Sequence, residues 1–231
     1  MSDAAWRDLD EELDRWAAMG RRPSLWLRDD DAIDITDALE RLLALADQTR
    51  TPLALAVIPA AATPALARRL ARAKAVSILQ HGYAHANHAP LGEKKSEFAD
   101  QRPLETMMGE LVRGRTAIFR MFGAAATAVL APPWNRMTPA LEPILAAAGL
   151  AGLSRFKPRA RPSVAAGVLE ANAHVDLIAW RTGRIGKPAT TIAAEISAHL
   201  ASRRLGAVDR DEPTGVLTHH LAMDAGAWTS L

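Results

Sequence analysis

Three observations predict an α/β protein built on a parallel sheet. Short apolar runs of strand length alternate with amphipathic runs of helix length along most of the chain. A hydroxyl residue followed by proline, the signature of a capped helix start, opens two of the amphipathic runs, at Thr63-Pro64 and Thr138-Pro139. Clusters of carboxylate and imidazole residues directly follow apolar runs, at the strand ends where parallel sheets bind ligands. Such an alternation, with right-handed crossovers, fits either a barrel or an open doubly wound sheet. The length of 231 residues is that of one α/β domain spanning 1–231, able to bury a substantial core.

Taken in order, the opening segment sets Trp6, Leu9, Leu13 and Trp16 at helical spacing and stops at Gly20, which predicts an amphipathic helix. The first strand is expected over 24–28, ending at the run Asp29-Asp30-Asp31. A helix from Thr36 to Ala46 then leads to a strand over 53–58, and a helix from Thr63 to Ala73 to a strand over 75–79. The third strand runs into His81-Gly82-Tyr83-Ala84-His85. Helices from Pro103 to Phe122 and from Thr138 to Ala148 precede strands over 127–131 and 150–154. Strands over 174–180 and 214–219 flank a helix from Thr190 to Leu205.

Composition narrows the function. The formal charge of +2 is near balance, and no basic stripe interleaves with aromatics, so nucleic acid is not an expected partner. Cysteine is absent, which removes disulfides, thiolate nucleophiles and Cys-ligated zinc together. The N-terminus has no apolar core behind a basic start, and no apolar run reaches bilayer length. The expected compartment is the cytoplasm. No nucleophile elbow, P-loop or dinucleotide fingerprint is present.

The charged clusters carry the chemistry. Carboxylate and imidazole are the ligand types that hold zinc or a similar divalent ion with an open position, which points to a metal-assisted hydrolase. Two histidines four apart, as at His81 and His85, are by themselves more often surface or capping residues than ligands. His88 adds a third imidazole that serves equally as a loop residue. The three aspartates are the sharper signal, because their mutual repulsion needs a compensating cation. A capping turn would use one carboxylate; a metal ligand beside a general base uses more of them. Strand alternation sets Asp29 and Asp31 on one face and Asp30 on the other, leaving either Asp29 or Asp31 as the ligand. Of His219 and His220, alternation allows at most one to face the strand ends. Trp134, after two prolines, reads as packing or as an apolar wall for a sugar ring.

These residues resemble the motifs of the polysaccharide deacetylase family, in the family's order and across most of the chain. Asp30-Asp31-Ala32 resembles its first motif, two Asp and a small residue at a strand end. The segment His81-Gly82-Tyr83-Ala84-His85-Ala86-Asn87 is similar to its His-x3-His motif. Ala131-Pro132-Pro133-Trp134, Asp176-Leu177-Ile178-Ala179-Trp180 and Leu217-Thr218-His219 are similar to its third, fourth and fifth motifs. The resemblance implies a distorted seven-stranded (β/α) barrel with parallel strands. It further implies Asp31, His81 and His85 as ligands of a divalent metal, Zn²⁺ foremost, with Asp30 as base and His219 as general acid. The backbone N–H of Trp134 would face the oxyanion, and Arg136 stands beside it as a substrate-binding candidate.

The implied activity is removal of N-acetyl groups from an amino sugar or glycan. Hydrolysis of a non-sugar C–N bond, as in ureide hydrolases of the same fold, is the alternative reaction. A non-catalytic metal- or sugar-binding module is the alternative class. Two positions depart from the family: Ala131 stands where it carries Arg, and Ala179 where it carries the partnering Asp. Both halves of one ion pair are missing together, which leaves no uncompensated buried charge. Arg136, Arg28 and Asp29 are the candidates to replace that pair.

Overall fold

The computed structural model describes residues 3–231. The first half comprises α1 (Asp3–Ala18), β1 (Leu25–Ala32), α2 (Asp37–Thr49), β2 (Leu53–Val57), α3 (Pro64–Leu70), β3 (Val76–His81) and α4 (Leu104–Phe122). The second half continues with β4 (Ala126–Ala131), β5 (Gly152–Leu153), β6 (Ser163–Ala165), β7 (Val168–Glu170) and β8 (Ala173–Asp176). It closes with β9 (Ile178–Ala179), β10 (Ile185–Gly186), α5 (Ala189–Leu205), β11 (Thr214–Thr218) and α6 (Ala225–Ser230).

The local signals account for the helices. Thr36 and Thr63 accept hydrogen bonds from Leu39 N and Leu66 N, each at 3.1 Å, and Pro64 fills the first helical position. In α1 the apolar stripe packs on α5, where the buried Trp16 indole donates to Leu200 O at 3.2 Å. Arg204 of α5 grips the buried Glu12 carboxylate of α1 through Nε at 2.7 Å.

The main sheet runs in the order β6-β7-β5-β4-β3-β2-β1-β11-β8, and within it only the β6–β7 pairing is antiparallel. β7 and β8 are consecutive in the chain yet lie second and last in that order of nine, so the sheet curls round. A parallel bridge between Phe156 and Ala173 joins the segment after β5 to β8. The ring is therefore β1, β2, β3, β4, β5, the continuous β7–β8 stretch and β11: a distorted seven-stranded (β/α) barrel, not an open doubly wound sheet. Ala56, Leu79 and Ala131 form their own buried cluster, while the larger aliphatic clusters lie between sheet and helices.

Several boundaries differ from expectation. β1 continues to Ala32, so the three aspartates sit inside the strand and not after it. The expected helix from Thr138 to Ala148 is a short 3₁₀ segment, Pro139–Ile144, because Pro143 lacks the N–H an α-helix needs there. The expected strand over 174–180 divides at Leu177, and β9 pairs with β10 in a separate two-stranded ribbon. The β6–β7 hairpin and α6 had no periodic signature long enough to read. Among the described residues, no helix is long and apolar enough to cross a membrane.

Candidate active site

The three aspartates serve three different partners. Asp29 turns out of the barrel, where Oδ2 accepts from Thr218 Oγ1 at 2.7 Å and His220 N at 2.8 Å, and Oδ1 meets His220 Nδ1 at 2.5 Å. Asp30 faces inward with Arg28, two residues before it. Alternation would return Asp31 to the side of Asp29, but the β1–β2 register slips between Asp29 and Ala32, and Asp31 adopts a φ of +74°. That bulge re-aims Asp31 toward the histidines of β3. Asp29 and Asp31 therefore do not share a face, and Asp29 is committed to the end of β11.

Asp31 Oδ1 lies 3.0 Å from His81 Nε2 and 3.2 Å from His85 Nε2. One ligand atom from each of Asp31, His81 and His85 falls within 4.8 Å of the other two. His81 Nδ1 contacts Ala131 O at 2.9 Å; a carbonyl only accepts, so that nitrogen carries the proton and the Nε2 lone pair is turned to the cluster. Burial alone would raise the pKa of Asp31, but His81 and His85 more than offset it and hold the group ionised. Burial opposes protonation of His81, yet Asp30 and Asp31 raise its pKa above the ordinary value. A carboxylate and two imidazoles converging in this way fit a divalent cation of the zinc type.

The turn between the histidines is locked from below. Glu97, buried and drawn from the long connection after β3, accepts from Tyr83 N at 3.1 Å and Ala84 N at 2.7 Å. Gly82 has a φ of +59°, and a Cβ there would sit 1.8 Å from Glu97 Oε2 and 2.6 Å from the Pro133 ring. His85, at a φ of +56°, then places its ring 4.4 Å from that of Trp134.

Asp30 is buried. Its Oδ2 accepts from Arg28 Nη2 at 2.9 Å, and its Oδ1 has no partner among the described residues. Burial pushes its pKa up, but Arg28, His81 and His219 outweigh that and keep it below the usual carboxylate range. His219, from the end of β11, brings Nε2 to 4.0 Å from Asp30 Oδ2. The Trp180 ring meets His219 edge-on at 4.8 Å, and its indole N–H donates to Asp176 Oδ2 at 2.8 Å. Burial raises the pKa of Asp176, against the pull of His219.

Asp30, Asp31, His81, His85, Trp134 and His219 thus lie together at the carboxyl ends of the strands. Arg136 is exposed and donates to Lys95 O at 3.0 Å; it lines a polar cleft of about 330 Å³ with Asn135, Ser96 and Thr138, a cleft that Asp31, His81 and His85 do not line. Sequence reasoning missed Asp176, Asn135 and Glu97. The first two were within reach, since Asp176 opens the segment ending at Trp180 and Asn135 lies between Trp134 and Arg136; Glu97 lies in an irregular segment without a chemical pattern.

No family model matches the sequence, and no curated protein matches it. Solved structures match across most of the chain. A family 4 carbohydrate esterase from Streptomyces lividans, in complex with acetate, is 18% identical, with 90% of this chain and 83% of that chain covered and a TM-score of 0.56. A CE4 esterase of Streptococcus mutans is 13% identical over 97% of this chain and 82% of its own, with a TM-score of 0.58. The polysaccharide deacetylase Bc1974 from Bacillus cereus is 16% identical, covering 90% and 84%, with a TM-score of 0.51. At that sequence distance the likeness is one of architecture: the chain has the fold of the family 4 carbohydrate esterases and polysaccharide deacetylases, in a divergent form.

Proposed function

We propose that the protein is a metal-dependent hydrolase that removes N-acetyl groups from an amino sugar or glycan. The observation that carries this reading is the convergence of Asp31, His81 and His85 beside a buried carboxylate with one free oxygen, Asp30, and an imidazole, His219. The similarity in fold to structures described as carbohydrate esterases and polysaccharide deacetylases supports the substrate class.

Asp31, His81 and His85 would hold the cation. A divalent ion bound there, zinc foremost, supplies Lewis-acid polarisation of the amide carbonyl and a water acidified toward neutrality. Asp30 takes the proton of the attacking water through Oδ1, the oxygen that Arg28 leaves free. The Trp134 backbone N–H faces the oxyanion that develops, where one donor typically contributes about 3 kcal/mol. His219 gives a proton to the departing nitrogen, which could not leave as an amine anion. Asp176 accepts from the Trp180 indole, whose ring packs edge-on against His219, and so steadies one side of that acid. The rings of Trp134 and Trp180, packed against His85 and His219, put apolar surface beside the site for a sugar.

Elemental analysis of protein purified without chelator should find about one equivalent of divalent metal in wild type and a large loss in Asp31→Ala and His85→Ala. Acetate release from N-acetylated amino sugars should fall at least about 100-fold in Asp30→Asn and His219→Ala, in line with loss of a general acid or base. Full activity in both folded, metal-loaded variants would sink the mechanism.

A further inference from the structure

We propose that Arg28 is the positioning residue for the Asp30 base, supplied by the strand that carries the base itself. The inference rests on the deacetylase reading above. Arg28 is fully buried, and both terminal nitrogens of its guanidinium are engaged. Nη1 donates to Ser154 Oγ at 2.8 Å, to Ser154 O at 3.1 Å and to Arg155 O at 3.3 Å. Nη2 is shared between Asp30 Oδ2 at 2.9 Å and Asn135 Oδ1 at 2.5 Å. Asp30 is the one carboxylate it pairs with among the described residues, so one buried cation faces one buried anion.

The asymmetry of that contact is what makes it a positioning device. Oδ2 is pinned, while Oδ1 is buried and has no partner. A base needs both properties: a fixed carboxylate plane and a lone pair free for the incoming proton. Anchorage at Ser154 and Asn135 holds the guanidinium from two further segments, so its own freedom is small. A tie between β1 and the end of β5 would need the Ser154 and Arg155 contacts alone; the Nη2 fork goes beyond it.

The geometry also accounts for the two alanines. Ala131 is fully buried, and its carbonyl is occupied by His81 Nδ1 at 2.9 Å and Gly82 N at 3.2 Å. Ala179 lies in the separate β9–β10 ribbon. With Arg28 neutralised by Asp30, neither a second guanidinium from β4 nor a second carboxylate from the ribbon is required. The ion pair present here joins residues two positions apart on β1 and does not reach across the barrel.

The test compares wild type with Arg28→Lys and Arg28→Met. It reads kcat and KM for acetate release from an N-acetylated amino-sugar oligomer, bound metal by elemental analysis, and the thermal midpoint. Misplacing a reacting group by an ångström costs about 100-fold in rate. The expected result is therefore a fall in kcat of about that size for Arg28→Met, with KM nearly unchanged and one equivalent of metal retained. Arg28→Lys, which keeps the charge but loses the fork, should recover part of the rate. If Arg28→Met does not fold, Arg28→Lys decides alone: a kcat equal to wild type overturns the proposal. A lowered midpoint with unchanged kcat, or loss of metal in step with activity, also overturns it. Absence of turnover in wild type would instead remove the deacetylase reading, and with it the base that Arg28 is proposed to position.

Discussion

Asp29, Asp30 and Asp31 show how far adjacent residues of one type can diverge. One binds His220 outside the barrel, one binds Arg28 inside it, and one meets two histidines. Their division depends on the positive φ of Asp31, which a non-glycine residue adopts only when its surroundings over-determine it. Gly82 is the complementary case. Its left-handed φ and the proximity of Glu97 and Pro133 leave no room for a methyl group. Gly82→Ala should destabilise by about 2–3 kcal/mol, from backbone strain and overpacking together. A thermal melt should show a midpoint about 5 °C lower or more. An unchanged midpoint would mean that the turn between the histidines yields more easily than its geometry suggests. At this scale the residue types were legible in the sequence, and Asp31, His81 and His85 were named together, as a candidate ligand set, from motif order. The direction of each aspartate was not, because alternation assumes a regular strand and the bulge removes that premise.

Among the elements, the connection from Gly82 to Pro103 matters most to the site while carrying no regular structure. It folds back so that Glu97, buried and without a cationic partner among the described residues, caps two N–H groups of the histidine turn. A buried carboxylate is tolerated there because those donors satisfy it. Glu97→Ala should therefore release the turn and weaken metal affinity by about 10- to 100-fold, the usual range for groups that orient ligands. Competition with a chelator of known affinity would measure this, and an unaltered affinity would restrict Glu97 to a folding role. The helices α2, α3, α4 and α5 were readable as helix-length runs between the strands, with a hydroxyl–proline start marking α3. The 3₁₀ segment at Pro139–Ile144 was not, since a hydroxyl–proline start opens either kind of helix and Pro143 decides the outcome only later.

Over the whole molecule, the two ends of the barrel carry different ionisable clusters. Away from the Asp31, His81 and His85 cluster, His199 of α5 stacks on His174 of β8 with ring centroids 3.7 Å apart, and its Nδ1 meets Thr214 Oγ1 at 2.9 Å. Burial, then His174 and Arg203, push the His199 pKa down to about 4, against the attraction of Glu212. Between that value and the ordinary histidine value near 6.5, the unfolded chain takes up a proton that the folded chain refuses. The contribution of His199 to stability is thus complete above about pH 6.5 and is lost as pH falls toward 4. The thermal midpoint of wild type should drop by a few degrees more than that of His199→Gln between pH 7 and pH 5. Parallel curves for the two proteins would show that His199 protonates in the fold at little cost.

By itself, the sequence determined the alternation of elements, the seven-strand count of the ring, and the chemical set at the strand ends. These follow from local periodicity, capping chemistry and motif spacing, which are properties of short segments. Tertiary structure decided the rest: the curl that brings β8 round to the segment after β5, the re-aiming of Asp31, and the choice of Arg28 as partner to Asp30. Each depends on groups far apart in the chain. Arg28 and Ser154 are separated by 126 positions, and only closure of the barrel turns a surface-type residue into a buried cation with both terminal nitrogens engaged. Burial and pairing energies are set by that closure, and no pattern along β1 records it.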